Sequence, residues 1–187
     1  MIAMVSGRLL ALGVTGLLVL VAAPARSTDP PDIERHIKQL GLIRPARAKA
    51  AADFSMPLSP NGTFTLSEQR EKVILLNFWA TWCEPCREEM PSVERLWQRY
   101  RNRGLVVLAI SLDVTPQLVV DFTARHRLSF LIGLDSKGKV ATLYGARALP
   151  ATFIIDREGA LAALALGPRA WDSDSAQALF ESLTSNP

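Results

Sequence analysis

The chain has 187 residues, nearly half of them hydrophobic, and its 21 Lys and Arg against 18 Asp and Glu give a formal charge of +3. That length suffices for one domain with a substantial core. The cations are interleaved with acids, as in Arg87-Glu88-Glu89 and Glu94-Arg95, which excludes a concentrated nucleic-acid footprint, and two cysteines are too few for a disulfide-stapled miniature fold.

In chain order, the N-terminus comes first. Arg8 is the one charged residue before Arg26, Leu9 to Ala23 is apolar or small, and Ala23-Pro24-Ala25 offers an A-x-A site. This is the pattern of an export signal, cleaved after Ala25. The apolar run is about 15 residues against the ~20 of a spanning helix, yet retention as an uncleaved anchor through residues 9–23 stays open. Residues 26–52 read as a linker with a short helix at Asp32–Leu42, where Ile33, Ile37 and Leu40 recur at helical spacing.

The compact domain is expected over residues 53–187. Phe54–Pro60 and Thr63–Leu66 flank Asn61-Gly62, a hairpin signal. Val73–Trp79 is a buried strand, apolar except for Asn77. A helix follows over Cys83–Arg103, with Met90, Val93, Leu96, Trp97 and Tyr100 on one face and a kink expected at Pro91. Leu105–Leu112 reads as a second buried strand of a parallel sheet. Pro116–His126 reads as a helix with Leu118, Val119 and Phe122 inward, Phe130–Leu134 as a strand, and Val140–Tyr144 as a short helix. Ala151–Ile155 and Ala160–Leu166 form a hairpin across Asp156-Arg157-Glu158-Gly159, and a helix capped by Asp172 or Ser173 ends the chain. Strands alternating with helices, then a terminal hairpin and helix, predict a mixed α/β sandwich.

Chemistry concentrates at Trp82-Cys83-Glu84-Pro85-Cys86, which holds the chain's two cysteines at a strand-to-helix junction. Two thiols at that spacing point to thiol–disulfide exchange. At a helix start, Cys83 meets free amide hydrogens and the positive end of the helix dipole, which favour its thiolate. It is expected to be the exposed nucleophile and Cys86, one turn on, the resolving thiol. Arg87 adds to the thiolate's stabilisation, Glu84 opposes it, and Pro85 sits in the first turn where a missing amide hydrogen costs little. A purely structural disulfide is the alternative. Zinc needs two further ligands, and His36 and His126 lack the spacing. No metal or organic cofactor is expected.

Asn77-Phe78-Trp79-Ala80-Thr81-Trp82-Cys83-Glu84-Pro85-Cys86, Glu89-Met90-Pro91, Leu149-Pro150-Ala151-Thr152-Phe153-Ile154-Ile155-Asp156 and Gly167-Pro168-Arg169-Ala170-Trp171-Asp172 together resemble the thioredoxin superfamily, more closely its exported TlpA/ResA-like branch. The resemblance runs from Phe54 to the C-terminus. It implies a thioredoxin-like three-layer sandwich with an N-terminal hairpin, and a helix–strand unit inserted at Asp113–Asp135. Plain thioredoxins place an aspartate six residues before the first cysteine, where this chain has Asn77. The branch instead carries a glutamate three residues after the second cysteine, here Glu89.

The resemblance makes Glu89 a buried acid/base group for Cys86, against the alternative of a solvated helix acid. It also makes Leu149–Pro150 a cis peptide facing the dithiol, where the Leu149 backbone pairs with an extended substrate, against an ordinary trans proline. Trp82 is expected to shield the dithiol and touch partners, while Trp79, Trp97 and Trp171 are assigned to structure and both histidines to the surface. The implied activity is that of an exported reductant of protein disulfides on the periplasmic side, including haem-binding cysteines during cytochrome c maturation, supplied by a membrane thiol donor. The rivals are a net oxidant or isomerase with the same residues, and a non-catalytic metallochaperone or assembly factor.

Overall fold

The structure, a computed structural model, describes residue 1 and residues 31–185. Beyond residue 1, the signal or anchor expected at residues 1–25 lies outside the described residues. No helix among them is long and apolar enough to cross a membrane.

The helices are α1 (Pro31–Gln39), α2 (Glu84–Tyr100), α3 (Pro116–Arg125), α4 (Lys139–Tyr144) and α5 (Asp174–Ser185). The strands are β1 (Ser55–Ser59), β2 (Thr63–Thr65), β3 (Val73–Trp79), β4 (Leu105–Ser111), β5 (Leu131–Leu134), β6 (Ala151–Ile155) and β7 (Leu161–Leu166). They form one sheet in the order β2-β1-β5-β4-β3-β6-β7. The three strands β3, β4 and β5 run parallel, while β6 and β7 on one side and the β1–β2 hairpin on the other are antiparallel. The α3–β5 unit stands where the inserted pair is expected, so β5 sits between β4 and the hairpin.

Alternation along β3 builds two cores. Val73, Leu75 and Trp79 point to the face covered by α1, α2, α3 and α5, where Met90, Val93, Leu96, Tyr100, Val119, Phe122 and Phe180 are buried. Ile74, Leu76 and Phe78 point to the other face, against Phe54, Met56 and Phe64 of the hairpin region and Val140 of α4. The central strand is buried over its whole length, as a sheet covered on both faces requires. At Gly133 of β5 a Cβ would stand 2.6 Å from Met56 Sδ, so the glycine lets β1 close onto β5.

Three expectations change. Residues 31–52 are packed on the domain, with Ile33, Ile37 and Leu42 in the main core, and residues 43–50 flank β7 through bridges Ile43–Leu164 and Ala50–Ala160. The pattern of Asp32–Leu42 marks a helix but not its partner, which lies at the other end of the chain. Leu118 is 52% exposed, because α3 turns only Val119 and Phe122 inward. The long helix leaves α geometry at Tyr100 and ends in a 3-10 turn over Arg101–Arg103, closed by Gly104 at φ 93°. The last helix starts at Asp174, and of the two expected caps it is Ser173 whose Oγ accepts from Ala176 N, at 3.4 Å. α2 remains helical through Pro91.

Candidate active site

β3 delivers the chain to the sheet's C-terminal edge, and Ala80–Trp82 connect it to α2. That connection is pinned by a residue the sequence reading passed over. Asp113, buried just after β4, accepts from Thr81 N at 2.8 Å, Thr81 Oγ1 at 2.6 Å and Ser111 Oγ at 2.7 Å. Its only mark in the sequence is its place after a buried strand.

Cys83 is the N-cap of α2 and is joined to Cys86 in a disulfide. The Cys86 N–H faces Cys83 Sγ at 3.3 Å. In the reduced protein this sulfur stands for the thiolate, so the same N–H would stabilise it. Cys86 is wholly buried. Cys83 is 7% exposed, so the expected exposed nucleophile presents only a sliver of its surface. It is reached through a groove lined by Trp82–Pro85, Leu112 and Ala146–Leu149. Trp82, 69% exposed, lines the same groove as Cys83. The Leu149–Pro150 peptide is cis, and Leu149 is half-buried. Arg87 is exposed on α2 and lies outside the groove.

Glu89 lies three residues beyond Cys86, hence on the same face of α2. It is 3% exposed. Asn77 Nδ2 donates to its Oε1 at 2.8 Å and to Thr152 Oγ1 at 2.9 Å. Its Oε2 accepts from Arg169 N at 3.0 Å and Trp171 Nε1 at 3.2 Å. Burial pushes the Glu89 carboxyl above the ordinary carboxylate value, and these donors, with the Arg169 charge, pull it partly back. Trp171, assigned to structure, is thus also a donor to this carboxylate. Asn77 Oδ1 has no hydrogen-bond partner among the described residues.

The structure therefore gathers Trp82, Cys83, Glu84, Pro85 and Leu149 around one groove, and sets Cys86 and Glu89 behind it in the interior. Thr152, Arg169 and Trp171 complete the surroundings of Glu89. All three fall inside sequence motifs, which marked their neighbourhood and not their roles. Among the described residues, no group of three or more His, Cys, Asp or Glu is placed to hold a metal.

A mixed sheet sandwiched by helices, with a two-cysteine ring heading the long helix after its central strand, defines the class of thioredoxin-like dithiol proteins. The AhpC/TSA family model matches residues 48–164, and the chain belongs to this thioredoxin-like family. It is 33% identical over 111 residues to the thiol-disulfide oxidoreductase ResA of Bacillus thuringiensis, a match covering 59% of this chain and 64% of that protein. It is 36% identical over 122 residues to the protein of the same name from Oceanobacillus iheyensis, covering 63% and 64%. The chain thus spans 64% of the length of these curated relatives. A crystal structure from Chlorobium tepidum, of a protein assigned as thiol:disulfide interchange protein DsbE, superposes with a TM-score of 0.67 at 31% identity, covering 73% of this chain and 97% of that one.

Proposed function

We propose that this protein is a thiol–disulfide oxidoreductase that reduces disulfides of exported proteins through Cys83 and Cys86. One observation carries the reading: the pair caps α2 with one sulfur at a groove and the other fully buried, one helical turn from a buried carboxyl. The thiol-disulfide oxidoreductase and interchange proteins that the chain resembles support the exchange chemistry.

The cycle balances as follows. Cys83 thiolate attacks a substrate disulfide, one S–S bond forms as another breaks, and the first substrate thiolate leaves. Cys86 gives its proton to Glu89 and attacks Cys83 Sγ, releasing the second substrate thiolate. The substrate gains two electrons, and the protein ends as the Cys83–Cys86 disulfide. A membrane thiol donor restores the dithiol. Trp82, Leu149 and Pro150 receive the substrate, Glu84, Pro85 and Arg87 set the Cys83 thiol's acidity, and residues 1–25 are the export signal or anchor ahead of the folded domain. Haem-binding cysteines awaiting cytochrome c maturation are the substrates that the resemblance favours.

The reduction potential of the pair, read from tryptophan fluorescence in defined thiol buffers, tests the direction. The expected value is near or below about −250 mV; one near about −120 to −180 mV would make the protein an oxidant or isomerase instead. Cys83→Ser is expected to abolish turnover and Cys86→Ser to accumulate mixed disulfides. Undiminished reduction of a disulfide substrate by Cys83→Ser would refute the mechanism.

A further inference from the structure

The turn between β7 and α5 carries two of the three donors to Glu89, and its middle is held in an unusual way. Gly167 N donates to Pro150 O at 2.9 Å, and Trp171 N donates to Ser92 Oγ at 3.1 Å, so both ends of the turn are tied to the domain. Between them Arg169 belongs to no strand or helix, yet its N–H must stay over Glu89 Oε2. Its own side chain supplies the hold. The Nη1 faces the turn's carbonyls, with Pro168 O at 2.8 Å. The Nε and Nη2 reach across to the carbonyl end of α1, to Leu40 O at 2.7 Å and Gly41 O at 2.9 Å. A guanidinium suits this place: its donors lie in a rigid fork, and a cation at a helix C-terminus meets the negative end of the helix dipole.

We propose that Arg169 is a positioning residue for Glu89, and that it holds its backbone N–H on the carboxylate only while the C-terminal end of α1 is seated beneath its guanidinium. Residue 169 thereby couples the first helix of the domain to the interior acid behind the dithiol. The inference rests on the reading of Glu89 as the acid/base group. Its geometry is independent of which direction electrons flow.

The surroundings single out this residue. Among the described residues, the Arg169 charge acts to lower the Glu89 carboxyl against the effect of burial. Glu88, Arg95 and Asp172 line the groove outside it, and there Arg95 and Asp172 are paired with each other at 2.6 Å. The uncharged Asn77, itself bonded to Thr152, and Trp171 donate to the same carboxylate, and Cys86 lies one turn back on α2.

The test is a carbon-13 NMR titration of the Glu89 carboxyl in the oxidised full-length protein, which needs no turnover and so separates this inference from the proposed activity. Arg169→Ala is expected to raise the Glu89 midpoint by about one pH unit, the effect of losing one strong donor and a nearby cation. Arg169→Lys keeps the charge without the fork and is expected to recover only part of that shift. Ile37→Ala, which loosens the seat of α1 without touching the turn, is expected to move the midpoint the same way by a smaller amount. An unchanged midpoint in Arg169→Ala overturns the positioning role, and full recovery by Arg169→Lys overturns the fork in favour of charge alone. An unchanged midpoint in Ile37→Ala overturns the dependence on α1. Should Arg169→Ala fail to fold, the lysine and Ile37 variants carry the same decision.

Discussion

Asn77→Asp places a second carboxylate against Glu89. The present contact is 2.8 Å between Asn77 Nδ2 and Glu89 Oε1, in a site where Asn77 is fully buried and Glu89 nearly so. Two unit charges at that separation repel by about 6 kcal/mol at an effective dielectric of about 20, and relaxation to about 4 Å still leaves about 4 kcal/mol. At about 1.4 kcal/mol per pH unit this lifts the second ionisation of the pair by about three to four units. Burial already raises Glu89 by itself. The pair is therefore expected to keep one shared proton at pH 7 and to titrate as a unit. Carbon-13 NMR of the two carboxyls reads this directly, and alkylation of the reduced protein follows its effect on the thiols across pH. Two ionised carboxylates at pH 7 in a folded protein would refute the reasoning, since they require a far more polar site than the structure contains.

Other outcomes follow from the same contacts. A carboxyl whose folded pKa is raised stabilises the fold below its unfolded pKa and loses that contribution as pH rises through the folded value. Wild type should therefore lose stability above about pH 4.5 where Glu89→Gln does not, so urea unfolding of the oxidised proteins should find the variant gaining on wild type from pH 4 to pH 7; a constant difference would contradict it. Asp113→Ala strands the Thr81 N–H and the hydroxyls of Thr81 and Ser111, and is expected to cost about 2–4 kcal/mol in denaturant unfolding and to loosen the approach to Cys83. A loss under 0.5 kcal/mol, within the ordinary range for surface changes, would show the loop is held elsewhere. Gly133→Ala forces a Cβ onto Met56 Sδ and should cost about 1–3 kcal/mol, with Met56→Ala relieving part of the cost in a double-mutant cycle. Simple additivity of the two would refute the contact.

The local patterns carried most of the architecture. Seven residues from Val73 to Trp79 name a buried strand, Asn61-Gly62 names a hairpin, and the face of Met90, Val93, Leu96 and Tyr100 names the long helix, because each signal lies within a few residues. The dithiol was legible for the same reason. What surrounds it was not. The partners of Glu89 lie 12, 80 and 82 positions away in sequence, at Asn77, Arg169 and Trp171, and a hydrogen bond across such distances leaves no periodic trace. Asp113 escaped because an acid after a strand looks like any turn residue until Thr81 is folded onto it. Leu118 was misplaced because five apolar residues on a helix of ten do not say which of them the core beneath covers.

The packing of α1 against α5 has a consequence for how the molecule comes together. Gln39 Oε1 accepts from Ser175 Oγ across 136 positions, and Ile33 and Ile37 share a core with Leu179 and Phe180. Helices this short are marginal alone, so α1 gains its stability only from a partner near the end of the chain. Closing so long a loop is entropically costly and slow relative to local contacts. Within the folded domain, α1 is thus made early and is among the last elements to find its place. A chain arriving N-terminus first keeps α1 unsatisfied until the residues of α5 are present, and assembly of the domain becomes a check that the whole of it has arrived.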